Sequence, residues 1–181
     1  MLNEQELLAA CQKNDRKAQT AFYNFYKRRL MGICCRYMRT HEEAEDVLQE
    51  AFIKIFHNIG AVKKGESLGG WVKRITINTA IDYYNKNQKY MMDVSYDDTL
   101  DKQDDSFQQL FSRLQMEELL AIINQLADGY RMALNLYIID GYSHAEIAKM
   151  LNISENTSKS QLSRAKEVLR QRLKVQKLIE K

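Results

Sequence analysis

Two stretches of the chain, Thr40-His-Glu-Glu43 and Ser143-His-Ala-Glu146, carry the signature of a helix start. In each, a hydroxyl residue is followed three positions on by glutamate, and each side chain can satisfy the other residue's free backbone N–H. Apolar residues at three- and four-residue steps follow both, as one buried helix face requires. Proline, which would break such helices, is absent from all 181 residues. Leu, Ile, Ala, Lys, Glu and Gln are abundant, and with 45% of residues apolar there is material for real cores. The expectation is an all-α protein.

The first half reads as successive helices. Asn3-x-x-Glu6 opens one and Asp15 caps the next. Phe22, Phe25, Tyr26, Leu30, Ile33, Cys34 and Tyr37 then recur as one buried face. A third helix runs from the Thr40 box to about Asn58, where Gly60 ends it, and Gly60 to Leu68 is a loop. The helix from about Gly70 to Lys86 leaves Lys73, Arg74, Asn78, Asp82 and Asn85 as its polar positions, and Trp71 reads as core. Asp93 to Asp105 holds six Asp and one Lys, with few large apolar residues nearby, which marks a flexible acidic linker. Two small helical domains are therefore expected: residues 1–90 and 110–181, joined by a linker over 91–109.

Beyond the linker, helices are expected at about Phe107 to Leu126 and Tyr130 to Ile139, the second closed by Gly141 in a left-handed conformation. The capping box at Ser143 then precedes Ile147, Ala148 and Leu151 in a short helix. Asn152, which tolerates left-handed backbone, follows in the turn, and Ser154 caps a helix reaching Leu173 or beyond. This is a helix-turn-helix pattern, whose second helix must pack one face on its domain and offer the other to the major groove of DNA. Leu162, Ala165, Val168, Leu169 and Leu173 make the inward stripe. Asn156, Lys159, Ser160, Ser163, Arg164 and Glu167 fall outward. Lys159 and Arg164 can meet phosphate or guanine edges, and the two serines permit close approach. Lys159 to Lys181 adds eight Lys or Arg against two Glu, a charge bias that attracts nucleic acid.

The run Leu134 to Thr157, continuing through Ala165, closely resembles region four of bacterial sigma factors. Ala44-Glu-Asp-Val-Leu-Gln-Glu-Ala-Phe-Ile-Lys-Ile-Phe56 resembles the region-two segment that holds core RNA polymerase, and Trp71 to Asp82 resembles the promoter-melting helix. With no room for further domains, the resemblance is to the extracytoplasmic-function class. It implies a protein that binds core polymerase and promoter DNA and catalyses nothing itself. By that resemblance Asp46, Gln49 and Glu50 dock on the polymerase clamp. Lys63, Lys64, Lys73, Arg74 and Asn78, the last as a buried or half-buried amide, hold the melted minus-ten strand. Ser154, Asn156, Thr157, Lys159, Ser160, Ser163 and Arg164 serve the minus-thirty-five duplex. The linker is expected to thread through the polymerase. An anti-sigma partner, often membrane-bound in the family, is also implied. The sequence departs from the family's habit at Asn85, Ala127, Ser158 and Gln161, where Arg, Pro, an apolar residue and Arg are usual.

Other classes fit less well. No apolar run approaches the 18 or more residues of a membrane span, and Glu4 and Glu6 spoil a secretory signal, so a cytoplasmic location is expected. Cys11, Cys34 and Cys35 lack metal or redox spacing and read as reduced core thiols. His41, His57 and His144 are scattered, and no phosphate loop or nucleophile–base pair is visible. No cofactor, metal, small-molecule substrate or catalytic residue is expected. The surviving alternative is an ordinary helix-turn-helix regulator that works without docking on polymerase.

Overall fold

The computed structural model describes residues 4–62, 67–88 and 116–179, and among these there are helices and no strands. The chain divides into two compact units, Met1–Asn87 and Gln88–Lys181. The acidic linker and the start of the helix expected from Phe107 lie outside the described residues.

In the first unit, α1 (Glu4–Gln12), α2 (Arg16–Tyr37), α3 (His41–Asn58) and α4 (Leu68–Gln88) follow one another, with a 3₁₀ turn at Ile59–Ala61 after α3. Asn3 lies outside the described residues, and the caps expected at Asp15 and Thr40 are present. Asp15 accepts from the N–H groups of Lys17 and Ala18, and Thr40 and Glu43 form the reciprocal box. Such caps matter because four N–H groups at each helix start otherwise lack partners. Phe22, Tyr26, Leu30, Ile33, Cys34 and Tyr37 of α2 are buried, as are Ala44, Val47, Leu48, Ala51, Phe52 and Ile55 of α3. Rings join the two helices, with Phe22 against Phe56 at 5.6 Å and Tyr23 against Phe52 at 4.6 Å between centroids.

Phe25 corrects the reading of α2, for it is 68% exposed rather than part of the buried face. At about 100° per residue it lies about 60° behind Phe22, on the side away from Tyr26, while the buried stripe drifts the other way. Trp71 is half-buried, and Val72, Thr76, Ile77, Ala80, Ile81 and Tyr84 carry the buried side of α4. Burial pushes the Cys34 thiol up to about 12, the neighbouring Cys35 adding to the effect, and raises Cys11 and Cys35 as well, so all three favour the unreactive thiol form.

The second unit comprises α5 (Met116–Ile123), α6 (Asp128–Leu134), a π-helical turn at Asn135–Ile139, α7 (His144–Leu151) and α8 (Glu155–Ile179). The helix expected from Tyr130 thus opens two residues earlier and widens at Asn135, whose carbonyl accepts from Asp140 N–H at 2.9 Å. Gly141 follows with φ 79°. Ile122, Ile123, Leu126, Ala133, Leu134, Leu162, Ala165 and Leu169 form the core, with Val168 packed on it. The side chain of Leu173 lies outside the described residues.

The turn between α7 and α8 rests on Asn152, whose φ of 55° and ψ of 46° are left-handed. Asn accepts this conformation and a β-branched residue does not. Asn152→Val is expected to lower stability by roughly 1–2 kcal/mol, with Asn152→Gly close to the parent, as read by thermal unfolding followed by circular dichroism.

Candidate nucleic-acid and polymerase interface

The helix-turn-helix is assembled from local hydrogen bonds before any long-range contact is counted. At the start of α7 the Ser143 hydroxyl accepts from Glu146 N–H at 3.3 Å, and Ser143 N–H donates back to the glutamate at 2.8 Å. Those bonds from the Ser143 backbone and hydroxyl hold the Glu146 carboxyl below its usual range. At the start of α8 the Ser154 hydroxyl accepts from Thr157 N–H at 2.9 Å and sits 2.8 Å from the Thr157 hydroxyl. One contact then ties the two helices together. His144 Nδ1 lies 2.9 Å from the Ser158 hydroxyl, and the Tyr137 ring stacks on the imidazole at 4.4 Å. Ser158 is wholly buried, so the polar residue found where an apolar one is usual has an internal partner.

The outward side of α8 is narrower than the sequence implied. Asn156 and Lys159 are exposed, and Thr157, Ser163 and Arg164 are half-buried. Arg164 pairs with Glu167 at 3.2 Å across one helical turn. Ser160, read as outward, is only 5% exposed, and its hydroxyl donates to the Thr157 carbonyl of its own helix at 3.0 Å. Gln161 is also buried, its amide so close to Gly129 that a β-carbon there would stand 2.7 Å from it. It packs the helix rather than facing DNA. Ala127, where proline is usual, precedes α6 without a side-chain cap. Asp128 instead pairs with the buried Arg131 one helical turn on.

In the first unit, Asp46 and Gln49 are exposed on α3 and Glu50 is half-buried, all opposite the stripe through Ala44, Val47, Ala51 and Ile55. Lys54 lies 3.1 Å from Glu50 and 3.0 Å from Asp82 of α4, so a cation links the two helices. The interval of 28 residues between Lys54 and Asp82 hid this link from sequence reasoning. On α4, Arg74, Asn78 and Asp82 recur at four-residue steps and are exposed, and Lys73 is half-buried. Asn78 was expected to be buried or half-buried and is neither, since the buried side of α4 runs through Thr76, Ile77, Ala80 and Ile81. Lys63 and Lys64 lie outside the described residues. No group of three His, Cys, Asp or Glu side chains is placed to hold a metal ion, and no helix is long and apolar enough to cross a membrane, among the described residues.

By its geometry the second unit is a helix-turn-helix module with a polar, partly basic outer face, the class of element that enters the major groove. Residues 22–90 match the family described as Sigma-70 region 2, and residues 116–169 match Sigma-70, region 4. The sigma-H factor of Pseudomonas aeruginosa is 28% identical over 92% of this chain and 91% of its own length. The extracytoplasmic-function sigma factor SigW of Bacillus subtilis is 29% identical over 90% of this chain and 92% of its own. Among solved structures, the sigma factor RpoE of Bartonella quintana, crystallised with the anti-sigma factor NepR, covers 86% of this chain and 96% of its own with a TM-score of 0.52 at 20% identity. The chain belongs to the sigma-70 family of RNA polymerase sigma factors, in its extracytoplasmic-function group. Members of this family are DNA-binding initiation factors rather than classical enzymes.

The placement of α8 separates its outward residues from its buried ones by exposure. Lys159→Ala or Arg164→Ala is expected to weaken binding to promoter duplex by about 1–3 kcal/mol, with polymerase binding intact. Ser160→Ala is expected to leave DNA affinity within twofold. Fluorescence anisotropy on a labelled promoter fragment, beside a polymerase pull-down, reads all three.

Proposed function

We propose that this chain directs core RNA polymerase to a defined set of promoters through two separate contacts. The observation that carries the reading is the pairing of an acidic and amide stripe on α3 with a helix-turn-helix in the other unit whose outward side offers Asn156, Lys159 and Arg164. Asp46, Gln49 and Glu50 suit a basic partner surface, since two carboxylates flank an amide on one helix face. That partner is core polymerase. On α4, Lys73 and Arg74 follow the backbone of the melted minus-ten strand, and Asn78, being exposed, is free to reach a base edge. Lys63 and Lys64, which precede α4 in the sequence, add charge to the same strand.

The second contact is the minus-thirty-five duplex. Lys159 and Arg164 meet phosphate or guanine, and Asn156 and Ser163 approach the groove beside them. Ser154 and Thr157 act less directly, by fixing the start of the helix through their hydroxyls. Selectivity follows from requiring both contacts at one spacing, because each alone is weak and sequence-tolerant. The RpoE structure contains an anti-sigma factor, and we assign this chain a partner of that kind, which would restrain it by covering the surface that polymerase needs.

The test combines binding and transcription. The chain is expected to co-purify with core polymerase and to create a reproducible set of start sites on a mixed genomic template. Asp46→Ala with Glu50→Ala is expected to reduce polymerase affinity about tenfold or more while sparing duplex binding by the second unit. DNA binding with no association with polymerase would favour the ordinary helix-turn-helix regulator.

A further inference from the structure

Ile53 is 69% exposed, an unusual place for a β-branched apolar side chain on a helix whose other face is fully packed. Its position on α3 is not arbitrary. It stands seven residues after Asp46, four after Gln49 and three after Glu50, so it falls on the same helical stripe as all three. At 3.6 residues per turn its direction lies between those of Gln49 and Glu50, one turn further along the helix. The stripe is therefore an apolar group bordered by an amide and two carboxylates, the anatomy of an interface anchor with a polar rim. Packing within the unit does not explain it, for Ala51, Phe52 and Ile55 around it point inward and are buried. Its neighbour on the chain, Phe52, is covered instead by the Tyr23 ring of α2, 4.6 Å away between centroids.

We propose that Ile53 is the apolar anchor of the contact with core RNA polymerase, entering a hydrophobic recess on a surface whose surrounding basic groups meet Asp46 and Glu50. The occupant follows from charge complementarity and from continuity with the docking stripe, and the inference rests on the reading of α3 given above. Lys54 contributes by holding the Glu50 carboxylate at 3.1 Å, which limits where that charge sits relative to the anchor. The carboxylates set orientation and association rate, and the isoleucine sets how long the complex lasts.

The experiment uses the full chain and purified core polymerase, with affinity and dissociation rate measured for Ile53→Ala, Ile53→Leu and the Asp46→Ala/Glu50→Ala pair. Because Ile53 is exposed and alanine is the better helix former, Ile53→Ala folds as well as the parent, which circular dichroism verifies. Ile53→Ala is expected to weaken polymerase binding about tenfold, mainly through faster dissociation and with little change in salt dependence, and Ile53→Leu to retain most of the affinity. Affinity of Ile53→Ala within twofold of the parent, with the carboxylate pair impaired, overturns the anchor and leaves the docking face standing. If the carboxylate pair is also unaffected, the assignment of α3 as the docking face falls with it.

Discussion

The proposed contact with duplex DNA depends on the asymmetry of α8. Leu162, Ala165 and Leu169 bury one side against α5 and α6, and only because that side is fixed can the other present Asn156, Lys159 and Arg164 in a constant direction. Burial of the stripe supplies most of the stabilisation, since helices of this kind are marginal in isolation. Direction comes from smaller effects. The left-handed Asn152, the Ser143 and Ser154 caps and the His144–Ser158 contact set the angle at which α8 leaves the turn. Loosening any of these would leave α8 helical and aim it differently.

In the first unit, too, packing on one side of each helix leaves the other side to solvent. Its interior is aromatic and aliphatic, with Phe22 against Phe56 and Tyr23 against Phe52 joining α2 to α3. Burial and contact with Glu4 of α1 push the Tyr26 hydroxyl well above its ordinary range, so that tyrosine stays neutral and holds the first helix in place. With the inner faces committed, the outer face of α3 is left to Asp46, Gln49, Glu50 and Ile53. Lys54 and Asp82 connect that face to α4, where Arg74 and Asn78 are exposed.

What could be read from the sequence was what is local. Capping boxes, the Asp15 cap, the left-handed positions at Asn152 and Gly141 and the stripes of α3 and α8 involve residues within one or two turns, and the structure has them where the spacing put them. Fold class followed from those signals together with the lack of proline. Misread positions were those whose surroundings are set by other elements or by a side chain's own rotamer. Phe25 satisfied the apolar period and faces outward, Asn78 sits on the exposed side of α4, and Ser160 turns its hydroxyl back to Thr157. The closeness of Gln161 to Gly129, the Lys54–Asp82 pair and the His144–Ser158 contact span 14 to 32 positions and leave no periodic trace.

The most direct measurement is site-specific photo-crosslinking in a promoter complex assembled with core polymerase, using a reactive side chain introduced at position 46 in one sample and at position 159 in another. Position 46 is expected to crosslink to polymerase protein and position 159 to upstream promoter duplex. Crosslinking of position 46 to DNA with position 159 captured only by protein would contradict the division of labour between the two units.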